Sequence, residues 1–219
     1  MIAAWILLAG FLATAIFVSA TALTGRAFGL VPRTISCGAG PAPLSIRLFG
    51  CEFRLGLIVV AGSVQFSEDH GPAVQDLPLW KQVILCLSGV IALLLAAVLL
   101  TGPEALDLAW RAAKTLVAFS LSPLAHEAVL QDALAAFAAQ PAIARFAAVF
   151  SAIAGINLLP LAPFPGGAIL MAIAERGIGL SRGSGIARAY LLASLAFMAW
   201  ILFLLATQAW RFAQQSGLI

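Results

Sequence analysis

Charge is scarce in this sequence. Only 10% of the 219 residues are Asp, Glu, Lys or Arg and 63% are hydrophobic, against about 25% charged in an average soluble domain. Twelve basic and nine acidic side chains cannot cover the surface of a water-soluble globule of this length, so the solvent of this chain is lipid. Histidine is scarce as well, with two residues, and the three cysteines, Cys37, Cys51 and Cys86, are odd in number and lack CxxC spacing. A disulfide framework or zinc knuckle finds no support in that pattern, and at least one thiol is expected to be free. The net charge of +3 and pI near 9.1 come from scattered single Lys and Arg residues. No basic run with interleaved aromatics is present, which argues against a nucleic-acid partner. The apolar N-terminal stretch has no basic residue before Arg26 and therefore lacks the n-region of a signal peptide. It is expected to stay as a first span with its N-terminus outside. There is no internal repeat and no inserted soluble domain, so residues 1–219 are expected to form one membrane-embedded domain.

What is present are long apolar runs. Ile2 to Leu23 carries no charge and is long enough to cross about 30 Å of hydrocarbon at about 1.5 Å per residue. Further spans are expected over about 79–100, ending at Thr101-Gly102-Pro103, over 142–175 with a break at 157–167, and over about 186–208. Glycine, proline and short runs of large apolar residues between 31 and 66 predict a membrane-associated β-hairpin. Residues 104–140 read as two amphipathic interfacial helices, broken at Ser122-Pro123. The fold class is thus an all-α polytopic membrane protein, with four transmembrane helices, a small β-hairpin and interfacial helices. Placing 24–81 and 175–188 in the cytoplasm puts eight of the twelve Lys/Arg inside, which predicts that both termini are non-cytoplasmic.

Several phrases in order resemble the site-2 protease family of intramembrane zinc metalloproteases, and the resemblance covers most of the chain. "TGRAFGL" at Thr24 to Leu30 is similar to the segment that follows the family's HExxH. "GCEFRLGLIVVAGSVQF" at Gly50 to Phe66 is similar to its cytoplasmic re-entrant hairpin. Asn157, Pro160, Gly166 and Gly167 stand at positions of its N-x-x-P-x-P-x-x-D-G motif. "SGVIAL" at Ser88 to Leu93 matches the family's second-helix phrase poorly.

The resemblance also implies where the chemistry would be. Registered on Arg26 and Phe28-Gly29, HExxH falls on "FVSAT", Phe17 to Thr21. The motif works because two imidazoles four apart bind Zn²⁺ and the glutamate between them acts as general base. Here those positions hold Phe17, Val18 and Thr21. The third ligand, the aspartate of the proline-rich motif, is replaced by Pro165, and Ala162 replaces its second proline. Phenyl, isopropyl, hydroxyl and pyrrolidine groups cannot offset the hydration that Zn²⁺ would lose. No catalytic residue, metal ligand or cofactor is therefore expected.

Other candidates have plainer readings. His126-Glu127 begins like HExxH, but Leu130 stands where the second histidine would be, and His70 lies in a Gly/Asp-rich loop. Asn157 reads either as a backbone-binding residue or as a cap of the broken helix before Pro160. Gly166-Gly167 read as a helix restart that permits close packing. Ser19, Thr21 and Thr24 read as helix-packing hydroxyls. The resemblance implies that the hairpin, with Glu52, Phe53, Arg54 and Leu55, pairs an edge with an unwound segment of another protein; the plainer reading packs it on this chain's own helices.

The expected function is a pseudoprotease that holds another integral membrane protein as a structural, assembly or regulatory subunit. Its partners would be the bilayer and that protein's transmembrane helix. The alternatives are an active zinc protease with ligands from His126, His70 or a partner chain, and a small transporter or channel built on the broken third helix. The alanine-rich, single-domain economy suggests a bacterial inner membrane.

Overall fold

In a computed structural model, residues 2–48, 50–56, 58–67, 69, 72–122, 135–181 and 183–215 are described. The uncharged N-terminal run forms α1, Ile2–Ala27. It stops at Gly29, whose φ of 85° suits a residue without a Cβ. A sheet follows, built from β1 (Val31–Ala39), β2 (Leu44–Leu48), β3 (Cys51–Leu55) and β4 (Ile58–Ser67). Pro78 caps α2, Leu79–Thr101, which Gly102 and Pro103 end. Next come α3 (Glu104–Leu121) and α4 (Ala142–Asn157), then a break. Proline at the first helical position pre-sets φ and sacrifices no intrahelical hydrogen bond, so α5 opens at Pro165; it runs to Ile178 and closes on left-handed Gly179. The last helix, α6, spans Gly185–Gln215.

Among the described residues three helical segments are long and apolar enough to cross a bilayer, Trp5–Ala27, Leu79–Thr101 and Gly185–Leu204. The third expected span, 142–175, is interrupted between Asn157 and Pro165. Its first part, α4, has 16 residues, about 24 Å at 1.5 Å per residue and so short of the hydrocarbon core. Only after the break does α5 extend it. The core lies where α1, α2, α3 and α4 meet, around Ala13, Val90, Leu93, Ala97, Ala105, Ala147, Phe150 and Ala154. Its alanines let the helices approach closely, the packing mode that lipid-solvated bundles favour.

The ends of the bundle are marked by aromatic and basic groups. Trp5 meets Phe146 edge-on at 5.3 Å, with the Arg145 guanidinium 6.0 Å from the Trp5 ring, so the starts of α1 and α4 lie together. At the other end Phe28 meets Trp80 at 5.9 Å, and Lys81 Nζ lies 5.4 and 5.5 Å from the two rings. Arg176, near the end of α5, donates there to the carbonyls of Gln75 and Leu77, at 3.1 and 3.0 Å. Two such girdles are what a membrane-crossing bundle places at its interfaces.

The β element is larger than the expected hairpin. Four strands lie in the order β2-β3-β1-β4. β2 and β3 do form an antiparallel hairpin, Leu44 opposite Leu55 and Leu48 opposite Cys51. β3 then runs parallel to β1, with Thr34 opposite Glu52, and β1 pairs antiparallel with β4. The expected hairpin is thus one part of a larger sheet, in which β4 passes its neighbour β3 and joins β1.

Candidate functional site

Period-two alternation gives the sheet two different faces. Ile35, Cys37, Leu44, Ile46, Phe53 and Leu55 share one, as the pairs Ile46–Phe53, Ile35–Phe53, Leu44–Leu55 and Cys37–Leu55 require. Thr34, Ser36, Ser45, Arg47, Glu52 and Arg54 share the other. The apolar face packs on α1. A Cβ at Gly62 of β4 would come within 2.5 Å of Thr14 Cγ2 and 2.7 Å of Val18 Cγ1, and one at Gly25 of α1 within 2.3 Å of the Phe66 ring. Phe11, one turn before Thr14, lines a groove together with Ile35, Cys37, Leu44, Ile46, Phe53, Arg54 and Leu55. The sheet thus follows α1 from Gly25 back to Phe11, about 21 Å of helix and more than half of a bilayer's hydrocarbon depth. The stretch 36–46 that reaches furthest along α1 carries no charge.

The groove is apolar and about 200 Å³ in volume. Beyond α1 the sheet face stays open: Leu44, Ile46 and Leu48 are about half exposed and Phe53 is 41% exposed. Among the described residues β2 has a hydrogen-bonding neighbour on one side alone, and an edge of that kind presents backbone donors and acceptors for pairing. On the opposite face the Glu52 carboxylate takes Arg54 Nε and Nη2 at 3.0 Å each and the Ser45 hydroxyl at 2.8 Å. Hydrogen bonding from Arg54 first, then from Ser45, holds the Glu52 carboxyl below the usual carboxylate range and raises Arg54.

The registered catalytic positions are engaged otherwise. The Phe17 ring lies over Gly89 of α2, where a Cβ would fall 2.5 to 2.7 Å from three ring atoms. Val18 is 1% exposed and packs on Gly62 of β4. Thr21 Oγ1 donates to the Phe17 carbonyl one turn back, at 2.9 Å. Pro165 opens α5, which packs against α2. These donors do not fit a zinc ion: one hydroxyl already spent on its own helix is the full set. Among the described residues no group of three His, Cys, Asp or Glu side chains is placed to hold a metal. His70, His126, Glu127 and Leu130 lie outside the described residues.

The break between α4 and α5 folds tightly on itself. Cβ atoms at Gly166 and Gly167 would strike the backbone of Leu158, Leu159 and Leu161 at 2.3 to 2.5 Å, so these glycines admit the returning chain. Asn157 Nδ2 donates to Ile153 O at 2.8 Å. Of its two readings, this contact belongs to the one confined to the helix end. The Pro160 carbonyl accepts from Tyr190 of α6 at 3.0 Å. Asn157 and Pro160 therefore do not line the groove, whereas Phe53, Arg54 and Leu55 do.

A family model, peptidase family M50, matches residues 21–202 of the chain. The chain belongs to peptidase family M50. The match begins at Thr21, three positions after Val18, and takes in the sheet, the broken α4–α5 segment and most of α6. A comparison with curated proteins returned no match. For an M50 protein the notable residues that sequence reading missed are Gly62 and Gly89, which receive Val18 and Phe17, and the groove residues Phe11, Ile35 and Cys37. Alternation at Leu44, Ile46, Leu48 and at Phe53, Leu55 is the sequence signal that could have found the apolar face. Nothing in the sequence marked Phe11 as its neighbour.

Proposed function

We propose that this M50 protein is a non-catalytic member of its family, a pseudoprotease that holds another integral membrane protein in the groove between α1 and the sheet. The observation that carries this reading is the packing of Phe17 into Gly89 and of Val18 against Gly62. At the registered positions, side chains without lone pairs close the space between α1, α2 and β4. The scaffold around them is intact, including an apolar groove and an open β2 edge. An unwound segment adding to β2 would gain backbone hydrogen bonds, with its apolar side chains alternating into the groove. A bacterial inner-membrane setting with both termini outside agrees with the basic cluster at the Lys81 and Arg176 end of the bundle.

The test is cleavage of a single-span substrate in detergent or proteoliposomes, together with copurification from membranes. The purified full chain is expected to leave the substrate intact and to bring down a membrane protein whose capture is lost on Ile46→Asp or Phe53→Asp. Chelator-sensitive cleavage would overturn the reading. Restoring Phe17→His, Val18→Glu, Thr21→His and Pro165→Asp is expected to create zinc binding if the register is right.

A further inference from the structure

Helix α3 carries a charge pattern that the function above does not use. At about 100° per residue, Ala105, Ala109 and Ala113 of α3 fall within about 80° of arc, and all three are buried. At Ala109 the backbone lies so close to α4 that a Cβ on Gly155 would meet its carbonyl oxygen at 2.1 Å. Glu104, Asp107, Arg111 and Lys114 occupy an arc of similar width on the opposite side, and all four are exposed. None of them forms an ion pair with a described residue. Beside them Trp110 is 64% and Leu106 50% exposed, and Lys114 Nζ lies 5.3 Å from the Trp110 ring centroid.

The order of these charges is symmetric about Ala109. Glu104 and Lys114 stand five positions to either side, Asp107 and Arg111 two positions, and the sign reverses at the centre. A second α3 laid antiparallel across the first, with the two-fold axis at Ala109, sets Asp107 opposite Arg111 and Glu104 opposite Lys114, each pair twice. A parallel pairing sets like charge against like. Isologous contacts need a surface complementary to itself, and charge complementarity of this kind fixes register and excludes wrong partners. The path of α3 suits such an axis. It starts beside α2, packs over α4 at Gly155, and ends at α6, where Trp200 Nε1 donates to Ser120 O at 2.9 Å; it thus runs across the bundle. Its charged stripe points away from a core of lipid-solvated helices, where unpaired charge is costly.

We propose that the charged face of α3 is a homodimer interface that pairs antiparallel with α3 of a second copy. This holds whether or not the protein cuts a substrate. The full chain in mild detergent is tested by light scattering after size exclusion. The wild type is expected to be dimeric and to dissociate as salt is raised. An all-basic variant, Glu104→Lys with Asp107→Lys, and an all-acidic variant, Arg111→Glu with Lys114→Glu, are each expected to be monomeric, with dimer affinity lowered at least about tenfold. Mixed in equal amounts they are expected to form the heterodimer, which also shows that both are folded. The swap Asp107→Arg with Arg111→Asp is expected to restore the homodimer. A monomeric wild type at every concentration, homodimers of the single-sign variants, or failure of the mixture to associate would overturn the proposal.

Discussion

At the scale of the residue, Phe17 and Gly89 define the interior of this protein. The phenyl ring lies where any Cβ at position 89 would have to be. Gly89→Val is therefore expected to destabilise the chain by about 1–3 kcal/mol through overpacking. Combining it with Phe17→Ala should cost less than the sum of the two single changes, because each relieves the other. Thermal unfolding of the four proteins in one detergent measures this, and strict additivity would mean that the ring and the glycine do not meet. Glu52 offers a second test. Arg54 and Ser45 stabilise its ionised form, so its folded pKa is depressed. Its contribution to stability is then present above the unfolded glutamate pKa and lost as pH falls through the folded value. The Glu52 carboxyl resonance is expected to titrate below ordinary glutamates and to move up in Arg54→Ala; an unmoved midpoint would contradict the pairing. Of these residues, the sequence made the chemistry of Phe17 and Val18 legible, because side chains without lone pairs bind no metal. Gly62 and Gly89 were illegible, since only the fold brings them against α1.

At the scale of the element, the short segment before α2 is tied down by two side chains. Gln82, 4% exposed, gives its Nε2 to Gln75 O at 3.1 Å and Leu77 O at 2.8 Å, and Arg176 of α5 reaches the same carbonyls. Gln82→Leu leaves buried acceptors short of a donor and is expected to cost about 1–3 kcal/mol, with faster amide exchange through 74–82. Arg176→Ala, whose bonds are more exposed, should cost less; a reversed order would place the latch on Arg176. Gly62→Val should loosen the seam between sheet and α1, seen as faster exchange in β4 than in α2. Equal exchange in the two would count against the docked sheet. The spans were legible because a run of twenty uncharged residues has few alternatives in any solvent. α1 and α2 start and stop close to the expected positions and α6 starts there, since Gly29, Pro78, Gly102-Pro103 and Gly179 punctuate the chain, whereas α6 runs on to Gln215, past the expected end near 208. The parallel pairing of β1 with β3 was not legible, because alternation reveals which side chains share a face and not which strand lies alongside.

At the scale of the whole molecule, an M50 scaffold surrounds a centre packed with hydrocarbon. The groove along α1, the outer edge of β2 and the charged face of α3 lie on its outside, where the proposed partner and the proposed second copy would dock. α6 packs lightly, with most of its apolar stretch from Gly185 to Leu204 left unburied. Position by position, phrases such as "GRAFGL" and the long run from Gly50 to Phe66 made the family legible. The groove was not, because it forms between Phe11 of α1 and strand residues, from Ile35 on, that lie more than twenty positions further along the chain. The most direct measurement is the metal content of the full chain purified from zinc-supplied cells without chelator. Zinc well below one per chain is expected, with no change in thermal stability on adding EDTA. One tightly held zinc per chain, whose removal by EDTA lowers stability, would contradict a centre closed by Phe17 and Val18.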